Sequence, residues 1–112
     1  MPRQLRNKGG ITNVMPRKKY GIGSDLKIYH DGTDSIIQNY TGSIYIDSNA
    51  DDQDIVLRCD DGSGGLTAYI TLDGSDAATV ISTVKIMMPN LPTSDPGVTG
   101  QLWNDSGTLK IS

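Results

Sequence analysis

All thirteen acidic residues of this chain are aspartate, and there is no glutamate. Asp competes with the backbone for hydrogen bonds and favours turns and caps, whereas Glu favours helix interiors. The 112 residues also hold 13 Gly and many Ser and Thr. Such a chain is punctuated by tight turns, and what lies between them is short. No stretch shows apolar residues at helical spacing over three turns. The fold class expected is therefore all-β: a short-stranded antiparallel sandwich, or a trimeric β-prism or β-helix-like body, with an extended N-terminal arm.

From residue 24 onward, β-like runs alternate with Asp/Gly/Ser turns. The predicted strands are Leu26–His30, Ser35–Tyr40, Ser43–Asp47, Asp54–Arg58, Leu66–Leu72 and a longer apolar run, Thr79–Met87. Pro89 to Gly100 carries three prolines and two glycines and predicts an irregular linker. Residues 101–112 read as a terminal hairpin around Asp105-Ser106-Gly107. A weak internal echo links Asp31-Gly32-Thr33-Asp34 to Asp73-Gly74-Ser75-Asp76, with Asp60-Asp61-Gly62-Ser63 as a looser copy. The spacing is irregular, so this is one hairpin idiom reused and not a solenoid repeat.

Charge divides the chain more sharply than its net −3 suggests. Residues 1–20 carry Arg3, Arg6, Lys8, Arg17, Lys18 and Lys19 and no acid, giving +6; the rest sums to −9. Pro2, Gly9, Gly10 and Pro16 disfavour regular structure there, so residues 1–23 are expected to form an extended basic arm and residues 24–112 the β body. Gly21-Ile22-Gly23-Ser24 lets the arm turn onto the body. Ile11, Val14, Met15, Tyr20 and Ile22 sit in or beside the charged stretch and give the arm apolar area to bury. A protein surface is thus favoured over nucleic acid as its partner, because a phosphate-binding tail needs only charge and an acidic body repels DNA.

The apolar fraction is 36%, with one Trp and no Phe, which is lean for a self-sufficient core. Alternation along the strands points one face inward. Copies of the same chain are the expected source of the missing buried area, with Ile28, Ile44, Ile46, Val56, Ile70, Leu72, Val80, Leu102, Trp103, Leu109 and Ile111 packing between them.

Catalytic groups are sparse. The chain has one His, one Cys and no Glu, so no catalytic residue, metal ligand set or cofactor is assigned. His30 and Asp31 are neighbours on a strand and point to opposite faces. Cys59 alone supports neither an intrachain disulfide nor a cysteine zinc site. The Asp-rich turns match no EF-hand loop and no nine-residue calcium repeat, and turn conformation alone accounts for them. Trp103 and the five tyrosines leave a carbohydrate-binding platform as an alternative to packing. No apolar run approaches the roughly 20 residues of a membrane helix, and no signal-peptide core is present, so a soluble protein made in a cytoplasm is expected.

The segment Ser24-Asp25-Leu26-Lys27-Ile28-Tyr29-His30-Asp31-Gly32 resembles the opening of β-modules in structural proteins of tailed bacteriophages, especially marine and cyanobacterial ones. Leu91-Pro92-Thr93-Ser94-Asp95-Pro96-Gly97-Val98-Thr99-Gly100-Gln101-Leu102-Trp103-Asn104-Asp105-Ser106-Gly107-Thr108-Leu109-Lys110-Ile111-Ser112 is similar to a terminal motif of phage tail-fibre and virion proteins. The resemblance implies a non-enzymatic, homotrimeric virion component. Fibres with this ending are several times longer, so a capsid decoration or cement protein is expected, with the arm contacting the major capsid protein or another virion protein. A tail-fibre, tail-spike or tail adaptor piece is the alternative.

Overall fold

A computed structural model describes residues 17–112, which fall into two units, residues 17–47 and Ser48–Ser112. The described residues are all-β, with no helix and three small antiparallel sheets, none of them closed.

The first unit is one sheet in the order β1-β2-β3, formed by β1 (Arg17–Tyr20), β2 (Leu26–His30) and β3 (Ser35–Asn39). Tyr20 pairs with Leu26 and Arg17 with Tyr29. The basic stretch expected to be wholly extended arm therefore contributes Arg17, Lys18, Lys19 and Tyr20 to a sheet. The intervening loop achieves this through Gly21 at φ 85° and Ser24 at φ 60°, with Ser24 N–H donating to the Gly21 carbonyl at 3.2 Å. Arg3, Arg6, Lys8, Ile11, Val14 and Met15 lie outside the described residues.

The second unit holds two sheets. β4 (Ile55–Asp60), β5 (Leu66–Asp73) and β6 (Ala78–Ile81) form one, with β5 central; β7 (Leu102–Asp105) and β8 (Thr108–Ile111) form a hairpin. Leu57 pairs with Ile70 and Arg58 with Ala68, so Tyr69 is the extra residue of a β-bulge on β5. Its hydroxyl donates to the Asp60 carbonyl at 3.0 Å, and its own carbonyl accepts from Ser82 N–H. The hairpin turns through Ser106 at φ 53° and Gly107 at φ 97°, the two left-handed residues a two-residue turn requires.

Two expected strands change, and the first, Ser43–Asp47, forms no strand at all. Of the Thr79–Met87 run only Thr79–Ile81 enters a strand, where it belongs to β6. Thr83 then bonds the Lys85 backbone through its side chain, a local alternative to the ladder. The Pro/Gly-rich stretch at 89–100 is irregular, as expected, and is tied to the hairpin by backbone hydrogen bonds. The Pro92 carbonyl accepts from Asn104 N–H at 2.8 Å, and Gly100 N–H donates to the Ser112 carbonyl at 2.9 Å.

Among the described residues none, apolar or polar, is buried as a whole. Within each unit, strands touch only their hydrogen-bonded neighbours, so every sheet is a single layer. An antiparallel sheet normally lays one face on a second layer. Here no second layer exists within either unit.

Candidate functional site

The aspartates are turn acceptors. Asp31 accepts the N–H groups of Thr33 and Asp34 at 2.9 and 2.8 Å, and Asp73 accepts those of Ser75 and Asp76, both at 3.0 Å. The sequence echo is therefore one turn built twice, with each carboxylate reaching residues two and three ahead. Asp61 makes the looser version, accepting from Ser63 and Gly65, while Asp60 takes Gly62 and Gly64. Asp reaches these amides with a single methylene, which a Glu side chain overshoots. Among the described residues no three His, Cys, Asp or Glu side chains converge as metal ligands. His30 Nδ1 lies 3.4 Å from Ser35 Oγ where the 31–34 turn joins β2 to β3, and Cys59 is exposed on β4.

These bonds depress three carboxyls below the ordinary aspartate value: Asp31 chiefly through the Asp34 amide, Asp73 through the Asp76 amide, and Asp95 through the Ser112 hydroxyl. A folded pKa below the unfolded one gives stability that is present above the unfolded value of 3.8. It is lost as pH falls through the folded value. Carboxyl carbon shifts followed by NMR during acidification are expected to show these three protonating below the ordinary aspartate value of 3.8. The turns at 31–34 and 73–76 should loosen in the same step.

The first sheet has two unlike faces. Strand register puts Arg17, Lys19, Lys27, Tyr29, Gln38 and Ile36 on one side. Arg17 stacks 4.5 Å from the centroid of the Tyr29 ring and Lys27 lies 4.4 Å from that of Tyr40. Both tyrosine hydroxyls donate to Gln38 Oε1 at 3.1 Å. This basic–aromatic layer partly covers itself: Lys27, Tyr29, Ile36 and Gln38 are half-buried. On the other side Tyr20, Leu26, Ile28 and Ile37 share one face with Lys18 and Asn39, and Ile37 is 64% exposed. The isoleucines of this face are thus barer than the tyrosine and isoleucine of the other.

The sheet of the second unit repeats this. Ile55 opposes Leu72, and Ile70 lies between Leu57 and Ile81, giving one face five aliphatic side chains. Four of them, Leu57, Ile70, Leu72 and Ile81, are exposed. The opposite face carries Val56, Thr71 and Val80 in a row. Of the residues expected to pack between copies, Ile70 and Leu72 are therefore neighbours, whereas Val56 and Val80 point the other way. Leu26 and Ile37 share the face of Ile28, and Ile55, Leu57 and Ile81 that of Ile70 and Leu72, although none of the five was among the residues expected to pack between copies. Counting which alternate positions are aliphatic, strand by strand, was the available signal.

In the hairpin Leu102, Asn104, Leu109 and Ile111 share a face, with Leu109 and Ile111 exposed. Trp103 faces Lys110, whose ammonium lies 5.5 Å from the indole centroid and pairs with Asp105. That ion pair is exposed and adds little. Trp103 Nε1 is buried without an acceptor. Ile44 and Ile46 lie outside any sheet, both exposed. No helix of the described residues is long and apolar enough to cross a membrane.

No family model, no curated protein and no solved structure matches the chain.

Proposed function

We propose that this protein is a non-catalytic structural component that completes its core by assembling with copies of itself. The observation that carries the reading is the pair of single-layer sheets whose aliphatic faces lie open while no described residue is buried as a whole. Such sheets are marginal alone, because isolated strands need a covered apolar face for independent stability. A homotrimeric β-prism or β-helix-like body, with the faces turned to a common axis, supplies that cover. The sparse titratable groups support the non-catalytic part, since the carboxylates of Asp31, Asp60, Asp61, Asp73 and Asp95 are engaged with turn amides and a hydroxyl.

The resemblance to phage structural proteins directs the finer reading. The assembly is a capsid decoration or cement protein, residing in the virion and docking on the shell through its basic N-terminal stretch. The charge distribution supports docking at that end: residues 1–47 sum to +3 and residues 48–112 to −6. Sedimentation equilibrium of the full chain at micromolar concentration is expected to give about three times the 12.0 kDa chain mass. A monomer at every concentration, with its β-sheet circular dichroism intact, overturns the reading.

A further inference from the structure

Ser43-Ile44-Tyr45-Ile46-Asp47 has the alternation of a strand, yet it pairs with nothing. None of its backbone N–H or C=O groups bonds another described residue. No turn or bend interrupts residues 43–49. Ile44, Tyr45 and Ile46 are all exposed, Tyr45 by 81%. The nearest strand with a free side is β3, the edge of the first sheet. A hairpin back onto β3 through Tyr40-Thr41-Gly42 is what the sequence suggests, with Gly42 at φ 67° in the left-handed position of a three-residue loop.

The chain does not close that hairpin on itself. Tyr40 N–H donates to the Asp25 carbonyl at 2.7 Å, which continues the β2–β3 ladder, and Asn39 Nδ2 donates to the Gly42 carbonyl at 2.9 Å. Together these tie the exit from β3 in a form that leaves its outer edge open. Leu26 of β2 and Ile37 and Asn39 of β3 line an apolar groove of about 470 Å³ together with Ser43–Ile46. One chain thus carries both an unpaired strand-forming segment and an unpaired apolar-flanked strand edge.

We infer that Ser43–Asp47 is a strand completed in trans, adding to the free edge of β3 in a neighbouring copy of this chain. The inference rests on the self-assembling reading above and names the element that joins the copies. Strand addition of this kind takes its affinity from main-chain hydrogen bonds and its selectivity from alternate side chains. Here Ile44 and Ile46 lie on one side of the strand and Tyr45 on the other. The exchange leaves the loop 40–42 as the hinge, the usual route to a swapped element.

The test uses proline in the full chain. Successive N–H groups of a strand point to opposite sides, so one of Tyr45→Pro and Ile46→Pro removes a donor to the neighbour. Neither removes a bond from the isolated protomer. One of the two is expected to raise the dissociation constant of the assembly more than tenfold, and its alanine counterpart to raise it less. Hydrogen exchange should show alternate amides of 43–47 protected in the assembly and free after dilution to monomer. If both proline variants assemble like the native chain and these amides exchange freely in the assembly, the strand is not completed in trans, while self-association stands. Protection that survives in the monomer places the pairing within one chain and overturns the inference. A native chain that never associates removes the assembly reading and this inference together.

Discussion

A chain carrying Ile70→Asp is expected to sediment as a monomer at concentrations where the native protein is assembled. Ile70 occupies the middle of the central strand β5, flanked by Leu57 and Ile81 and two residues from Leu72. It is only 39% exposed in the single chain, so covering the remainder contributes at most about 1 kcal/mol. The aspartate acts differently, because each copy then brings an unpaired charge into a closing apolar face. Leaving such a charge uncompensated costs several kcal/mol, about 3–5 in buried sites. Even 3 kcal/mol raises a dissociation constant by more than a hundredfold. Val56→Asp is the matched control, since Val56 sits on the opposite face beside Thr71 and Val80. It should leave the assembly close to native. Dissociation by Val56→Asp with tolerance of Ile70→Asp means that the other face is covered. The dissociated Ile70→Asp chain should also lose β-sheet circular dichroism, since folding and association are coupled when the single sheets lack a second layer. For the same reason the native melting temperature should rise with protein concentration.

The turns were legible because their chemistry is local. Asp31-Gly32-Thr33-Asp34 and Asp73-Gly74-Ser75-Asp76 place a short carboxylate two and three residues before waiting amides, and nothing distant has to cooperate. Gly74 shows where this stops. Its amide bonds Asp54 Oδ1, 20 positions away, and a Cβ there would collide with the Gln53 carbonyl. That second reason for glycine depends on how the chain returns and could not be read from the turn itself. The strand at Arg17–Tyr20 was hidden in the basic stretch for a related reason. Arg17, Lys18 and Lys19 look like a charged tail, and Lys19 opposes Lys27 directly, a pairing that disfavours a strand. Stacking of Arg17 on Tyr29 and of Lys27 on Tyr40 supplies attraction visible only once the strands are aligned. The unpaired segment Ser43–Asp47 is the converse. Its pattern is that of a strand, but pairing needs an edge, and pattern carries no information about which edge is available. Alternation announced strands with two unlike faces, while only register separated Ile70 and Leu72 from Val56 and Val80.

That relocation of the arm sets the limits of the docking experiment. Removing residues 1–20 would strip β1 from its sheet, so loss of docking could not be separated from loss of fold. Removing residues 2–16 leaves Arg17–Tyr20 and the Arg17–Tyr29 stack in place. It takes away Arg3, Arg6 and Lys8 with no acid among them, moving the net charge from −3 to −6. The truncated protein is expected to keep its native oligomer mass and its β-sheet signal. It should fail to co-sediment with phage shells that bind the full chain. The loss should be large even if each arm binds weakly, because linked arms gain roughly 10²–10⁴ in avidity from simultaneous engagement. Ordering an arm costs about 1–2 kcal/mol per residue in backbone entropy, so charge alone is a poor match for that cost. Ile11, Val14 and Met15 are the apolar residues available to offset it, and Ile11→Ser with Val14→Ser should weaken docking at unchanged charge. Full occupancy of shells by the truncated protein removes the arm from the docking mechanism. Binding that instead falls with salt at a slope near −0.9 per neutralised phosphate, and is insensitive to the two serines, assigns the arm to nucleic acid.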